Sequence, residues 1–256
     1  MALLTTPLQG QTLTESNYQA LNTSPAIQAR GLTKLFGDFP ALQNVSFEVE
    51  RGEYLALLGH NGAGKTTLLK LLALLNRPSL GKLEISGQDP GDDPISLRRR
   101  IGLLGHNTFL YDELTAAENL HFYGSLYGVG SLKQACRDTL ESVGLQPFAG
   151  ELVRNFSRGM RQRLTIGRLF LHQPELLLLD EPFSGLDERA VALLESLLGQ
   201  ANARGTTIVL CTHQLELALK HARKLMILHR GKLAHWGAID PARQSETQEL
   251  YRRFVG

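Results

Sequence analysis

GHNGAGKT, at residues 59–66, decides the fold, because it fills every fixed position of the phosphate-binding pattern G-x-x-x-x-G-K-[ST]. The apolar residues from Tyr54 to Leu58 lead into it and predict a buried strand. The leucine-rich residues from Thr67 to Leu75 follow it and predict a buried helix. A strand, a glycine loop and a helix in this order favour a phosphate site over an ordinary glycine-rich turn.

The composition of the loop indicates how phosphate is held. Glycines let the backbone curl so that successive N–H groups point inward, and the following helix adds the positive end of its dipole. Lys65 supplies a cation for the β- and γ-phosphates, and the Thr66 hydroxyl can bind Mg²⁺. The residues expected to contact the nucleotide are Gly59, His60, Asn61, Gly62, Ala63, Gly64, Lys65, Thr66 and Thr67.

The amino-acid composition and charge indicate which classes of protein this sequence could belong to. The chain has 256 residues, of which 43% are hydrophobic and 20% charged, as is ordinary for a soluble globular protein. A net charge of +2 gives no electrostatic case for nucleic acid as a partner. The sequence has no apolar run of about 18 residues. Residues 1–24 are not expected to be a signal peptide, because they lack a basic start and a continuous apolar core. Cys136 and Cys211 lack metal-ligand spacing, as expected of a reduced cytosolic chain.

Short apolar runs predict the strands of two sheets. The runs at 54–58, 101–104, 176–179 and 207–211 predict a mostly parallel sheet. The runs at 27–32, 45–49 and 82–86 predict an antiparallel sheet beside the nucleotide, with a loop at 34–38 and a turn at 51–53. A hairpin is predicted from 225–228 to 232–234. We therefore expect an α/β fold with a P-loop NTPase core, an antiparallel β subdomain and an inserted helical subdomain.

Helix signals concentrate between about residues 107 and 170, which predicts the helical insert. Thr115-Ala-Ala-Glu118 has the spacing of a capping box and opens a predicted helix that reaches about Tyr127. Further helices are predicted at 131–143 and about 160–172, the latter beginning at Ser157-Arg158-Gly159, and Asp187 is predicted to cap another. Residues 1–25 are predicted to be a flexible N-terminal tail, and residues 239–256 a polar helical tail.

Two carboxylates and a histidine follow the buried strands. Asp180 is expected to bind Mg²⁺, because a hard cation beside phosphate prefers carboxylate oxygen. Glu181 comes next in the chain and points in another direction, so it is free to polarise the attacking water as a general base. His213 follows the next strand, at the edge where parallel sheets bind ligands, and can hydrogen-bond the γ-phosphate or orient the water. The alternatives are solvated strand-end acids and a structural histidine.

Five motifs, taken in order, resemble the nucleotide-binding subunit of an ABC transporter over residues 26–238. They are the P-loop, Phe156-Ser-Arg-Gly-Met160, Leu176–Glu181, Ser184-Gly-Leu-Asp187 and His213. The resemblance implies an ABC ATP-binding domain that hydrolyses ATP, with Lys65, Glu181 and His213 as catalytic residues. It also implies a head-to-tail homodimer around two ATP molecules. Membrane-spanning transporter subunits would hold that dimer peripherally at the cytoplasmic face of the inner (plasma) membrane.

The resemblance assigns further residues by position. Phe36 would stack on adenine, and Ser157 and Gly159 would touch the phosphate bound by a second subunit. Asp187 would lie at the dimer seam. His106 would occupy the position of a glutamine that couples nucleotide to the membrane subunit. A neutral imidazole can bind a metal ion, so the predicted Mg²⁺ ligands are Thr66, Asp180 and His106.

Two departures from the family pattern lead to a more specific prediction. The usual signature is Leu-Ser-Gly-Gly-Gln, of which only Ser157 and Gly159 match here, and Arg158 is expected to point to solvent rather than to phosphate. This signature and the pair Gly105-His106 resemble the CcmA-type ATPases of the haem exporter in cytochrome c maturation. Haem export is therefore the specific prediction.

Other functions stay open. The stretch from Leu110 to Thr115, with Glu118-Asn-Leu120, resembles drug- and polysaccharide-type exporters, so an ATPase of a drug- or lipid-type exporter is the main alternative. A soluble ABC protein of translation or repair usually has two nucleotide domains, basic arms or long coiled coils, and this sequence has none of these. Phe109, Leu110 and Tyr111 could form an apolar patch for a membrane partner or belong to the core.

Overall fold

In the computed structural model, which describes residues 24–105, 107–240 and 244–254, the chain forms an α/β fold with two sheets. The strands are β1 (Ile27–Phe36), β2 (Phe39–Val49), β3 (Tyr54–Leu58), β4 (Leu80–Ile85), β5 (Ile101–Leu104), β6 (Leu176–Asp180), β7 (Thr207–Cys211), β8 (Lys224–His229) and β9 (Lys232–Ala238). The helices are α1 (Lys65–Leu72), α2 (Pro94–Arg99), α3 (Ala116–Tyr127), α4 (Leu132–Ser142), α5 (Arg158–Phe170), α6 (Glu188–Ala203), α7 (Leu215–His221) and α8 (Gln244–Phe254). Residues 1–23 of the predicted N-terminal tail lie outside the described residues.

A six-stranded sheet in the order β5-β6-β7-β3-β8-β9 carries the P-loop. Its strands pair in parallel except for β8 and β9, which form the predicted antiparallel hairpin. Leu55 and Leu57 of β3 belong to the core shared with α1 and the antiparallel sheet. Ala56 and Leu58 belong to the core shared with α5, α6 and α7. Because both faces are covered, the central strands are apolar without alternation.

The second sheet is antiparallel, in the order β2-β1-β4, and forms the predicted β subdomain. The predicted loop at 34–38 is wrong, because β1 continues to Phe36 and pairs with Phe39 of β2. Only Gly37 and Asp38 connect the two strands, and Gly37 adopts a φ of +58° that suits a tight hairpin turn. Lys34 interrupts the apolar run in the sequence, and the two apolar residues that follow it are too few to predict a strand.

Helices α3, α4 and α5 form the predicted helical insert around a core of their own. The capping box at the start of α3 is present: Thr115 Oγ1 accepts from the Glu118 N–H at 3.1 Å, and Glu118 Oε2 accepts from the Thr115 N–H at 2.8 Å. Helix α5 begins at Arg158, within the predicted starting segment Ser157-Arg158-Gly159, and Ser157 caps it by accepting from the Met160 N–H at 3.2 Å.

Helices α2 and α7 are not predicted from the sequence. Each is too short to show a helical repeat of apolar residues. Helix α8 lies in the segment where a polar helix was predicted, yet its Leu250, Tyr251 and Phe254 pack against the core shared with α6. Among the described residues, no helix has both the length and the apolar character needed to cross a bilayer.

Candidate nucleotide-binding and hydrolysis site

The P-loop connects β3 to α1, although α1 begins at Lys65 and ends at Leu72 instead of spanning the predicted 67–75. Lys65 is only 8% exposed, and its ammonium donates to the carbonyl oxygens of Gly59 at 2.6 Å and His60 at 3.1 Å. A buried ammonium needs such acceptors. Phosphate oxygens would be stronger acceptors for the same group, because they carry charge.

The path of the loop is fixed by its neighbours. Gly64 has a φ of +104°, and a Cβ on it would lie 2.7 Å from the carbonyl oxygen of Ala41. On the other side, the Gly231 N–H donates to the carbonyl oxygen of Ala63 at 3.0 Å. The loop amides therefore precede the N-terminus of α1 along a defined path, as an anion site requires.

Thr66 and Asp180 meet directly, which joins the end of the P-loop to the end of β6. Thr66 Oγ1 donates to Asp180 Oδ2 at 2.9 Å, and Asp180 is buried. A hydroxyl and a carboxylate are the hard oxygen donors that Mg²⁺ prefers, so these two residues fit the predicted metal. Burial raises the pKa of the neighbouring Cys211 thiol, and the Asp180 carboxylate raises it further, so this thiol stays protonated and does not compete as a ligand.

Glu181 and His213 also lie together. Glu181 Oε1 is 2.9 Å from His213 Nδ1, and Glu181 Oε2 accepts from Thr212 Oγ1 at 3.2 Å. The backbone of Glu181 has a φ of +51°, which is uncommon for a residue other than glycine, and its N–H donates to the Cys211 carbonyl at 2.9 Å. Asp180 and Glu181 therefore contact different partners. The Glu181 side chain is 17% exposed and that of His213 62%, so water can reach the pair.

Two aromatic rings stand beside the P-loop. Phe36 and Phe39 line a cleft of about 330 Å³ together with the loop residues from Asn61 to Thr67. The two rings are 52% and 66% exposed, and Lys34 Nζ lies 5.3 Å from the centre of the Phe36 ring. Exposed rings at a cleft suit stacking on a planar base. Phe39 is not predicted from the sequence, because residues 34–38 before it are predicted to form a loop.

Ser157, Gly159 and Asp187 form a second cluster, and none of the three lines the P-loop cleft. Asp187 Oδ1 accepts from the Ala190 N–H at 2.8 Å and so caps α6, as predicted. A Cβ on Gly159 would lie 2.9 Å from Asp187 Oδ2. The lack of a side chain at Gly159 therefore lets the start of α5 pack against Asp187.

Two side chains of α5 contact the loop before α6. Gln162 Nε2 donates to the carbonyl oxygen of Gly185. Arg158 is exposed, as expected, and its guanidinium also lies beside Gly185, since a Cβ on that glycine would collide with Arg158 Nη2. Gln162 was missed because no sequence pattern links it to Gly185.

The segment around His106 is described only in part. His106 itself lies outside the described residues, so its place beside the nucleotide stays a prediction. Phe109 is 54% and Tyr111 48% exposed, whereas Leu110 packs against the core of the helical insert. Buried Asn119 fixes this segment, because its side chain accepts from the Tyr111 N–H at 2.8 Å and donates to the Tyr111 carbonyl at 3.0 Å. The three residues are thus divided between core and surface.

Comparison with known sequences identifies related proteins. The ABC transporter family matches residues 42–184. Over 212 residues the chain is 35% identical to the ABC transporter ATP-binding protein NatA of Bacillus subtilis, covering 82% of this chain and 86% of that protein. It is 37% identical over 217 residues to the daunorubicin resistance ATP-binding protein DrrA3 of Streptomyces coeruleorubidus, covering 84% and 69%. It is 38% identical over 211 residues to the bacitracin transport ATP-binding protein BcrA of Bacillus licheniformis, covering 82% and 69%.

Solved structures share the fold. An ATP-binding subunit of an ABC transporter has a TM-score of 0.82 at 32% identity, covering 89% of this chain and 98% of that one. A dimeric ATP-binding cassette in a post-hydrolysis state, bound to ADP and inorganic phosphate, has a TM-score of 0.75 at 26% identity, covering 84% and 99%. The predicted fold class is therefore confirmed.

Proposed function

We propose that this chain, which belongs to the ABC transporter family and is an ATP-hydrolysing subunit of that family, powers an exporter whose substrate is haem for cytochrome c biogenesis. The 2.9 Å hydrogen bond between Thr66 and Asp180 is the observation that best supports this position for the active site. It brings a P-loop hydroxyl and a strand-end carboxylate to one point, with Glu181 next in the chain.

The proposed roles follow from the contacts. Lys65 and the loop N–H groups bind the β- and γ-phosphates, and Thr66 and Asp180 would hold Mg²⁺, which when bound neutralises phosphate charge. Glu181 polarises the attacking water as general base. His213, 2.9 Å from Glu181, orients that water or hydrogen-bonds the γ-phosphate. Catalysis is then mainly positioning and charge stabilisation.

A homodimer completes the proposed site. Ser157 and Gly159 stand at the N-terminus of α5, apart from the P-loop cleft of their own chain. A helix N-terminus favours an anion, so these residues suit the γ-phosphate held by a second subunit. Asp187, packed against Gly159, then lies at the seam between the two chains. The similar dimeric cassette bound to ADP and phosphate supports this assembly.

Membrane-spanning subunits are the other proposed partners, with this chain at the cytoplasmic face of the membrane. Phe109 and Tyr111 are exposed in the segment that follows His106, and Tyr111 packs edge-on against Phe122, which is 37% exposed. A cluster of exposed aromatic rings on a folded surface suits a protein interface. We propose that the membrane subunit docks there.

The choice of haem rests on the pair Gly105-His106 and on the signature Ser157-Arg-Gly-Met160. A drug-type exporter is the second candidate, since relatives at 37% and 38% identity are a daunorubicin resistance protein and a bacitracin transport protein. The two candidates share the ATPase mechanism and differ only in the membrane subunits and the cargo.

A pull-down from native membranes tests the cargo. The bait is tagged Glu181→Gln with ATP, because a slow hydrolase should retain ATP and the assembled state. Mass spectrometry is expected to find the membrane subunits of a haem exporter, with haem in the eluate. Recovery of an unrelated exporter permease would contradict haem as the substrate but would still support a role in export. Ribosomal or repair proteins without a membrane partner would overturn export itself.

A surface variant tests the docking site in the same experiment. Phe109→Ser should lose the membrane partner while ATP binding persists. The matched control is Ile95→Ser, which changes a residue of α2 that is 63% exposed. Retention of the partner by Phe109→Ser, or equal loss by both variants, would contradict docking at Phe109.

A further inference from the structure

Helix α8 lies beyond the residues 42–184 that match the family, yet it contacts the loop of residues 212–214, which follows β7 and contains His213. Thr247, Leu250, Tyr251 and Phe254 recur at helical spacing. Thr247 is 7% exposed, and the other three pack against the core that includes Ile227 of β8. This one-sided stripe is the pattern of a helix docked on a domain. Docking therefore sets where each of these side chains lies.

From its position on α8, Tyr251 contacts His213, the residue proposed to orient the attacking water or to hydrogen-bond the γ-phosphate. Its hydroxyl donates to the backbone carbonyl oxygen of His213 at 2.6 Å. On the other side of the same loop, the Thr212 N–H donates to the Leu57 carbonyl at 3.3 Å, and the Gln214 N–H donates to Thr212 Oγ1 at 3.0 Å. The loop of residues 212–214 is thus hydrogen-bonded to β3 through Thr212 and to α8 through His213.

The phenol is suited to this contact. Burial raises the pKa of Tyr251, and the nearby Glu181 carboxylate raises it further. Tyr251 therefore remains protonated at neutral pH and keeps the hydrogen that it donates. Proximity to Glu181 also places α8 beside the proposed general base.

The end of α8 reaches the P-loop side as well. His229 Nδ1 lies 3.2 Å from the carbonyl oxygen of Phe254. The ring of His229 in turn packs edge-on against the ring of His60, with 5.1 Å between their centres. One helix thus contacts the loop after β7 and, through His229, the P-loop.

We infer that Tyr251 is a positioning residue for ATP hydrolysis: its hydrogen bond to the His213 backbone keeps the imidazole against Glu181. His213 is 62% exposed at its side chain, so its surroundings constrain the ring little. An anchor at its backbone raises the fraction of molecules in which His213 and Glu181 are aligned, and turnover follows that fraction. The inference rests on the proposed role of His213 and adds a residue outside the family motifs.

Tyr251→Phe is the variant that tests this role, because it removes only the phenol oxygen and keeps the ring in the stripe. A single hydrogen bond shifts an equilibrium by about threefold to tenfold. We expect kcat of the full chain to fall by about that factor, while the affinity for a fluorescent ATP analogue changes by less than about twofold. Tyr127→Phe is the matched control, since the Tyr127 ring stacks on His172 in the helical insert, and its kcat should not change.

Two further readouts separate positioning from a general loss of structure. Amide exchange at residues 212–215 should accelerate in Tyr251→Phe, while the thermal midpoint stays close to that of the wild type. In a His213→Ala background, Tyr251→Phe should change kcat no further, because the group that it positions is gone.

Unchanged kcat in Tyr251→Phe, with impaired His213→Ala, would overturn the role of Tyr251 alone. A fall in kcat that persists at full size in the His213→Ala background would also overturn it. Full turnover by His213→Ala would instead overturn the proposed role of His213, and the inference with it.

Discussion

Replacing Gly64 by alanine should damage the P-loop more than the same change at Gly62. Both residues have positive φ, +104° at Gly64 and +80° at Gly62. They differ in their surroundings. A Cβ on Gly64 would lie 2.7 Å from the Ala41 carbonyl oxygen and 2.9 Å from Leu42 Cδ2. A Cβ on Gly62 would have no atom of the described residues within 4 Å apart from its own chain neighbours.

The expected magnitudes follow from these two terms. Left-handed backbone costs a residue with a Cβ about 1–2 kcal/mol, and this term applies to both variants. Forcing an atom into a packed contact costs about 1–3 kcal/mol more, and this term applies only to Gly64→Ala, because the Ala41 carbonyl belongs to the backbone of β2 and cannot rotate away. The free energy of unfolding should therefore fall by about 1–2 kcal/mol in Gly62→Ala and about 2–5 kcal/mol in Gly64→Ala.

Urea denaturation of the full chain without nucleotide, followed by circular dichroism, measures both values. The difference between the variants isolates the contact with β2, since backbone strain is common to them. Equal losses, or a larger loss in Gly62→Ala, would refute the reasoning that the antiparallel sheet fixes the path of the P-loop.

Three other predictions concern the metal site, pH and a helix cap. Thr66→Val removes the hydroxyl bonded to Asp180, so half-maximal ATPase activity should need about tenfold more Mg²⁺, and an unchanged Mg²⁺ titration would contradict the assignment. Burial lowers the pKa of His172 from 6.5 to about 4, so the unfolded chain takes up this proton first, and about 3 kcal/mol of stability should be lost as pH falls from 6.5 to 4. Urea midpoints across this range should fall less steeply in His172→Phe. Asp187→Ala should lower the unfolding free energy by about 1 kcal/mol, because it removes the cap of α6; no change would show that the cap is dispensable.

The centre of the fold is predictable from sequence because two-sided burial leaves apolar runs. The strands β3, β5 and β7 have their predicted bounds, and the capping box at Thr115 marks the true start of α3. The P-loop and the two carboxylates at the end of β6, Asp180 and Glu181, could be placed together because parallel strands end at one edge of the sheet.

The rest depends on contacts between distant parts of the chain. Phe39 joins Phe36 at the cleft only because β1 and β2 pair as far as their turn. Gln162 contacts Gly185, and Tyr251 contacts His213. Both contacts join residues that are distant in sequence, so no local pattern predicts them. The short helices α2 and α7 carry too few turns for a periodic signal.

The central claim is that Glu181 activates water at an ATP site that two copies of the chain share. Light scattering and ATPase assays on purified Glu181→Gln test it most directly. The matched control is Glu141→Gln, because Glu141 is an exposed glutamate near the end of α4 in the helical insert. We predict that Glu181→Gln loses at least about 100-fold in kcat and accumulates a dimer with ATP and Mg²⁺ but not with ADP, while Glu141→Gln matches the wild type. Normal turnover by Glu181→Gln would show that Glu181 is not the general base, and a monomer that hydrolyses ATP at the wild-type rate would show that the site is not shared between two chains.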